Sequence, residues 1–504
     1  MAAAAKVYDF PLEKVEDQLV SYLKRTRGES TVADMVAGTG LPKYQVEQAA
    51  KAALDEYAGR LKVTESGELL YYFPSGMRST VRGPGPSLRR ARKAFARGSI
   101  KVLSFLFKIW IVAMLVGYFL AFLAICVAAI VFSIAASAAS RGGDNRGGDR
   151  DRGGGFGGMY LVMRLFDFLI RMWFWSSLLN SAGGGMRRQP QRPPGRPFYK
   201  SVFGFVFGDG DPNKGWEEEE RKHIISYIRS HKGVLTLEEI MAMTGREPDS
   251  ANSLVNRLLL EYEGEPGVTP DGTVVYSFPE LMRTSGSTRV DGGMSAAGPA
   301  ARRIVPFSEN KPRTNAWIVF FNAFNLLFGA YFLGISLVQG AAAISKTGPY
   351  LYSFVGSLLM QAGISPVPVI EIALGFIPVA FSIVFFIVPL LRRMRLTRYN
   401  DSLRDEALRR RIMTQVLESP ARVEPGDVRP TGSNLDPRDL PARSRRILDR
   451  LAAALKAEPV PLDKGQFAYK FSEIEREMAD VETFRKGIDL RKFDVGKTVF
   501  DSGS

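Results

Sequence analysis

Residues Val102 to Ala139 read VLSFLFKIWIVAMLVGYFLAFLAICVAAIVFSIAASAA, an apolar run whose only charge is Lys108. Crossing the hydrocarbon core of a bilayer takes about 20 predominantly apolar residues, so this run has to contain a membrane span. Outward from it on the N-terminal side lies a basic, polar stretch of about a hundred residues, too long for the charged leader of a secretory signal. That part of the chain is expected to be a folded domain. The full length of 504 residues leaves room for roughly three domains.

On the C-terminal side the same reading finds three more candidates. Met159 to Leu179 (MYLVMRLFDFLIRMWFWSSLL) sets Arg164, Asp167 and Arg171 on one helical face. It reads either as a span with an internal ion pair or as an amphipathic helix in the membrane plane. Trp317 to Ile344 is interrupted by Asn322, Asn325 and Gln339, and Ile370 to Leu391 carries Glu371 near one end and Pro378 inside. Polar groups in lipid need partners, so Asn322, Asn325 and Glu371 either bond between helices or line a polar path. The flanks orient the set. Arg89, Arg90, Arg92, Lys93, Arg97 and Lys101 precede the first run, and Arg187, Arg188, Arg192, Arg196 and Lys200 follow the second. Arg302, Arg303, Lys311 and Arg313 precede the third, and Arg392, Arg393, Arg395 and Arg398 follow the fourth. Short cytoplasmic segments are rich in Lys and Arg, so four spans with both termini cytoplasmic satisfy every flank. The formal net charge of +15, from 67 Lys and Arg against 52 Asp and Glu, lies mainly in these flanks and the C-terminal tail. Such runs also suit anionic lipid headgroups.

The soluble parts repeat. Residues 13 to 79 lie on 218 to 284 at a constant offset of 205 with no gap, matching Gly28/Gly233, Thr39/Thr244, Gly40/Gly245, Glu56/Glu261, Tyr57/Tyr262, Gly67/Gly272, Tyr71/Tyr276, Phe73/Phe278, Met77/Met282 and Arg78/Arg283 among others. In the first copy Val15, Leu19, Tyr22 and Leu23 carry a helical stripe, Thr31 to Val36 a short second helix and Lys43 to Tyr57 a third. Leu61 to Thr64 and Leu69 to Phe73 then flank the turn Glu65-Ser66-Gly67, as a second hairpin flanks Pro270-Asp271-Gly272. Three helices closed by a β-hairpin resemble the winged-helix fold. The expected fold class is therefore membrane α-helical, with about four transmembrane helices, plus repeated α+β winged-helix-like soluble domains. Gly465 to Phe471 matches Gly67 to Phe73 in its Gly, Tyr and Phe, and makes 392–484 a candidate for a degenerate third copy. The expected divisions are 1–80 and 216–284 for the two copies, 81–101 a basic linker, 102–139 the first span and 140–158 a Gly-rich loop. They continue with 159–180 the second apolar segment, 181–215 a basic, Pro-rich linker with an aromatic end, and 285–316 another linker. The remainder reads as spans over 317–344 and 370–391, an external loop over 345–369, and a loosely ordered tail over 485–504.

A winged helix that reads DNA puts Lys and Arg on its third helix and its wing. Here the third helices, LPKYQVEQAAKAALDEY and EPDSANSLVNRLLLEYEGE, are acidic on balance. Nucleic acid is therefore the alternative partner and an unknown cytoplasmic protein the expected one, with a homo-oligomer also open. The shared end of each copy, with Tyr71, Phe73 and Arg78, then Tyr276, Phe278 and Arg283, is the candidate interaction surface. Its bland reading is that the rings close the core and the arginines pair locally. The two copies, joined through a membrane hairpin, are expected to pack as a pseudo-dimer.

Chemical signals are weak. Asp209, Asp211, Asn213 and Glu220 have the spacing of an EF-hand calcium loop, but the sharp-turn position that needs Gly holds Lys214, and a turn leading into an acidic helix start is the simpler reading. His223 and His231, the only two histidines, are expected to have ordinary surface roles. The single cysteine, Cys126, rules out an intrachain disulfide or an all-thiolate metal site within one chain. No cofactor is expected, and no recognisable catalytic motif appears.

The stretch FYKSVFGFVFGDGDPN (198–213), leading into GWEEEERKHIISYI (215–228), resembles a segment of poorly characterised polytopic membrane proteins of bacteria and plant plastids, some of them labelled iron–sulphur cluster biosynthesis. The resemblance implies a multi-pass protein of the bacterial inner membrane, or of a plastid membrane in a plant, and transfers no catalytic residue. Together these features give a scaffold or adaptor as the expected function, with a membrane-anchored DNA-binding regulator and a transporter or channel component as alternatives.

Overall fold

The computed structural model describes residues 10–26, 29–57, 59–73, 84–139, 196–285, 302–426, 440–462 and 467–502. In chain order these form α1 (Leu12–Thr26), α2 (Val32–Thr39), α3 (Lys43–Tyr57), β1 (Arg60–Thr64), β2 (Leu69–Tyr72) and α4 (Pro84–Ala139). Then come α5 (Phe198–Phe207), α6 (Trp216–Ser230), β3 (Val234–Leu235), α7 (Leu237–Thr244), α8 (Pro248–Tyr262), β4 (Glu265–Val268) and β5 (Val274–Ser277). After α9 (Pro312–Gln339), α10 (Tyr350–Gln361) and α11 (Ile377–Glu418) follow α12 (Leu440–Ala454), β6 (Glu458–Pro461), β7 (Phe467–Lys470), α13 (Ser472–Gly487) and β8 (Thr498–Asp501). The chain is mostly helical, with small sheets, and divides into two compact units.

One unit comprises Met1–Ala91, Asp211–Val305 and Arg398–Ser504. Its helices form because their apolar residues recur at helical spacing: Val15, Leu19 and Leu23 on α1, and Leu254, Val255 and Leu258 on α8, are buried in one continuous core. Three hairpins lie on this core. β1 pairs antiparallel with β2, β4 with β5 and β6 with β7. In each, the inner strand meets a further short piece of chain: Tyr71 bridges Ser30, Tyr276 pairs with Leu235, and Tyr469 bridges Val423. β8 adds a third strand on the outer edge of β1. Of the tail over 485–504, expected to be loose, the described residues 485–502 form a helix end, a short 3-10 turn and a paired strand.

The other unit comprises Arg92–Gly210 and Pro306–Thr397. Phe320, Phe321, Phe324, Phe328 and Phe332 descend α9, and Phe119 and Phe122 of α4 pack among them with centroids 4.7 Å (Phe119–Phe321) and 5.6 Å (Phe122–Phe328) apart. Arg392 caps the end of α5 and the strap beside it, donating Nη2 to the carbonyls of Phe205 at 2.9 Å and Phe307 at 2.7 Å. Three stretches are helical, long and apolar enough to cross a membrane among the described residues: Val102–Ser137, Pro312–Ala343 and Pro366–Glu418. Their outward apolar side chains, such as Leu103, Phe132, Leu327, Val338 and Leu390, are exposed, as a lipid-facing surface requires.

Several expected boundaries are corrected. The basic 81–101 linker is helical from Pro84 onward, continuous with the span. The 345–369 loop contains α10 and a four-residue helix, Pro366–Val369, because YLYSFVGSLLMQ is apolar enough to pack. The span at 370–391 begins as a π-helical stretch, Ile370–Phe376, in which Ile377 N–H bonds the Ile372 carbonyl immediately before Pro378, a residue with no N–H to continue an ordinary turn. It then runs unbroken to Glu418, so the arginines after Leu391, expected to open the 392–484 domain, lie on the same helix as the span. The Gly-rich 140–158 loop and the second apolar segment, 159–180 with Arg164, Asp167 and Arg171, lie outside the described residues, as does Arg78.

Candidate functional site

The first unit contains a set of contacts between chain segments far apart in sequence, built on two short helices. Thr31 opens α2 with a capping box: its hydroxyl accepts the Asp34 N–H at 3.1 Å and its own N–H reaches the Asp34 carboxylate. Thr236 and Glu239 open α7 in the same way. Both carboxylates do a second job. Asp34, 2% exposed, accepts Arg229 Nη2 of α6 at 3.1 Å and the backbone N–H and hydroxyl of Ser285 at 3.0 and 2.8 Å. Glu239, 1% exposed, accepts Tyr227 Oη at 2.6 Å and Arg485 Nη2 of α13 at 2.7 Å. A buried carboxylate is tolerated only when its lone pairs are satisfied, and here both are.

Both short helices also end alike. Gly40 and Gly245 close α2 and α7 in the left-handed conformation, at φ 71° and 68°. A Cβ on Gly40 would sit 3.1 Å from the Glu218 carbonyl oxygen, and a Cβ on Gly245 would collide with the Glu406 carbonyl. The Gly40 carbonyl accepts Tyr262 Oη at 3.3 Å, and the Gly245 carbonyl accepts Arg409 Nε at 2.7 Å. The expected pseudo-dimer of 1–80 and 216–284 is therefore corrected. The two segments do touch, but a two-fold pairing would set Gly245 against the Glu13 to Asp17 turn of α1, and it lies against α11 instead.

A cavity of about 310 Å³ opens where α2, α3 and the β1–β2 hairpin meet Tyr262 and the 3-10 turn Pro279–Met282. Two of the expected interaction residues, Tyr71 and Arg283, line it together. Arg283 pairs with Glu68 at 2.6 Å and Glu280 at 3.3 Å, and Lys43 with Glu263 at 2.6 Å and Glu280 at 3.0 Å. Burial alone would lower the Lys43 pKa, but its bonds to Glu263 and Glu280 outweigh that and raise it. Charges on this wall are thus largely compensated. Phe278 is fully buried, and Phe73 and Tyr276 pack partly buried against the core.

The other sequence candidates are dispersed. Asp209 binds the Arg196 guanidinium and accepts the Glu309 N–H at 2.7 Å. Burial would raise its pKa, but these bonds prevail and hold it below the usual carboxylate range. Asp211 accepts the Asn213 N–H, Asn213 bonds the Arg303 backbone, and buried Glu220 pairs with Arg246 at 2.8 Å. The calcium reading is corrected: these oxygens serve local turns and ion pairs, and among the described residues no group of His, Cys, Asp and Glu is placed to hold a metal. His223 and His231 are half-buried rather than surface residues; burial lowers both pKa values, and His231 stacks on Tyr227 with centroids 3.9 Å apart. In the apolar unit, Asn322 Nδ2 donates to the Ser382 carbonyl at 3.0 Å, Asn325 Nδ2 to the Leu115 carbonyl at 2.8 Å, and Ser336 to Glu371 at 3.5 Å.

Sequence reasoning missed Asp34, Arg229, Glu239 and Arg485. The Thr-x-x-Asp and Thr-x-x-Glu boxes were a readable signal for the two acids, whereas nothing local marks arginines that arrive from distant segments.

No family model matches the chain, and no solved structure matches it. The chain is similar to an uncharacterised chloroplastic protein of Arabidopsis thaliana, 28% identical over 407 residues that cover 77% of this chain and 70% of that protein.

Proposed function

We propose that the protein is a membrane-anchored scaffold in which three winged-helix copies stack head to tail and offer their outer faces to a protein partner. The order helix, short strand, helix, helix, hairpin over α6 to β5, with strand order β3-β5-β4, supports the winged-helix reading of the second segment. The first segment has the same order with Ser30 in place of the short strand. The third, from α11 through α12 to β7, has Val423 there and differs in that its second-helix region, 427–439, lies outside the described residues.

The single observation that carries the stack is the repeated glycine contact. Gly40 and Gly245 stand 205 residues apart, and each lies on the first helix of the copy that follows, at Glu218 and Glu406. Those two glutamates precede the paired residues Leu235 and Val423 by the same interval. Such a contact is heterologous, the arrangement of repeat arrays rather than of two-fold dimers. Copies that pack on one another share one face of the membrane, which requires an even number of crossings between them. The basic flanks make that face cytoplasmic in a bacterium, and the chloroplastic label of the Arabidopsis relative favours a plastid membrane in a plant.

In the first two copies a protein partner is favoured over DNA because α3 and α8 are acidic on balance, with Lys43 paired to Glu263 and Glu280 and Arg257 to Glu261. The bonds of Asn322 and Asn325 to neighbouring backbone favour helix packing over a polar transport path. The test uses the full chain. A benzoylphenylalanine probe at Leu260, an apolar residue of α8 that is 84% exposed, is expected to give a discrete protein adduct in cells that a probe at Thr347 does not. Sequence-specific DNA binding by the purified chain, or ion flux above background in proteoliposomes, would contradict the reading.

A further inference from the structure

The three hairpins differ at one register position on their outer strands. Leu61, Pro266 and Pro459 each stand opposite a tyrosine, Tyr71, Tyr276 and Tyr469. Proline has no N–H, so β4 and β6 present edges that cannot be extended there, a common way of blunting an exposed strand. β1 alone keeps its donor at this position, and its edge is occupied. Leu61 N–H bonds Ser502 Oγ at 3.0 Å, and Ser502 N–H bonds the Leu61 carbonyl at 2.9 Å. Lys62 stands opposite Asp501, 3.5 Å from its carboxylate, and Val63 opposite Phe500. The register then slips by a bulge at Val499 before Thr64 meets Thr498. Beyond the strand, the Glu65 N–H bonds the Lys497 carbonyl at 2.9 Å, Ser66 Oγ bonds the Val495 carbonyl at 2.9 Å, and Val495 is buried.

This is the geometry of a bound peptide more than of a core strand. One aliphatic anchor, Val495, is buried, whereas Val499 is 69% and Phe500 59% exposed, so most of the hold is main-chain pairing and the Lys62 contact. We propose that the outer edge of β1 is a strand-acceptor site for an extended segment of a partner protein carrying an aliphatic residue and, six positions on, a carboxylate. The C-terminal residues 495–502 are its resident ligand. Recognition of this kind takes affinity from the backbone and specificity from the few anchored side chains. A tail tethered to the same chain competes at an effective concentration in the millimolar range for a short flexible link, so it occludes the site until a ligand outcompetes it. The inference rests on the β1 register alone and stands whether or not the stack does.

The test measures binding of a fluorescent peptide of residues 490–504 to the full chain in nanodiscs. A chain ending at Phe493 is expected to bind it about tenfold or more tightly than the full-length chain does. Leu61→Pro in that shortened chain is expected to abolish binding, and Lys62→Ala to weaken it. Should the shortened chain fail to fold, Ser502→Pro in the full chain removes both tail bonds to Leu61 and is expected to raise peptide binding at an unchanged melting temperature. Equal binding by full and released chains, or binding indifferent to Leu61→Pro, overturns the proposal. A full-length dimer that becomes monomeric with Ser502→Pro overturns it in favour of tail exchange between two copies.

Discussion

Asp34 and Glu239 each close a capping box and then take a buried arginine from elsewhere in the chain, so each joins local helix formation to a long-range contact. The two roles differ in energy. A capping side chain contributes about 1 kcal/mol, whereas removing one partner of a buried ion pair leaves an uncompensated charge and costs about 3–5 kcal/mol. Asp34→Ala is therefore expected to lower the melting temperature of the full chain several times as much as Thr31→Ala, which loses the cap and the Thr31 bond to the Arg283 carbonyl. Equal shifts would mean that Asp34 acts only as a cap. At this scale the sequence is half legible. Thr-x-x-Asp and Thr-x-x-Glu announce helix starts, but the separation of 195 residues between Asp34 and Arg229 is invisible to any local pattern.

At the scale of elements, the same contrast appears between glycines that are only strained and glycines that are also covered. Gly245 and Gly272 both have positive φ, 68° and 92°, but a Cβ on Gly272 meets open space while one on Gly245 meets the Glu406 backbone. Left-handed backbone with a side chain costs about 1 kcal/mol or somewhat more, and forcing atoms into a packed contact adds about 1–3 kcal/mol. Gly245→Ala is expected to destabilise the protein by at least about twice as much as Gly272→Ala in thermal unfolding. Matching losses would show that the α7 end is not packed on α11.

Elements with strong periodicity were readable in advance: α1, α3 and the hairpins at Gly67 and Gly272 stand where the apolar spacing and turn residues put them. Two others were not. α11 carries an apolar half and an arginine-rich half, and a change of composition reads as a boundary although the backbone continues through it. β8 is four residues, Thr-Val-Phe-Asp, too short to show alternation, and its partner β1 lies more than four hundred residues earlier.

For the whole molecule, the long apolar runs announced the helices long and apolar enough to cross a membrane, while the offset of 205 is the sequence reading on which the proposed stack rests. What they could not supply was how the soluble parts meet, because two-fold and head-to-tail contacts are built from the same repeated surface. The deciding residues are Glu406 and Arg409 of α11, which receive the end of α7.

One cysteine position separates the two arrangements. With Cys126 replaced, Glu247→Cys is combined either with Arg409→Cys, whose native side chains lie 3.5 Å apart, or with Glu16→Cys on α1, where a two-fold pairing of the first two copies would bring it. A short bifunctional maleimide applied to the full chain in membranes is expected to link 247 to 409 and to leave 247 and 16 unlinked. Crosslinking of 247 to 16 without crosslinking to 409 would contradict the head-to-tail stack.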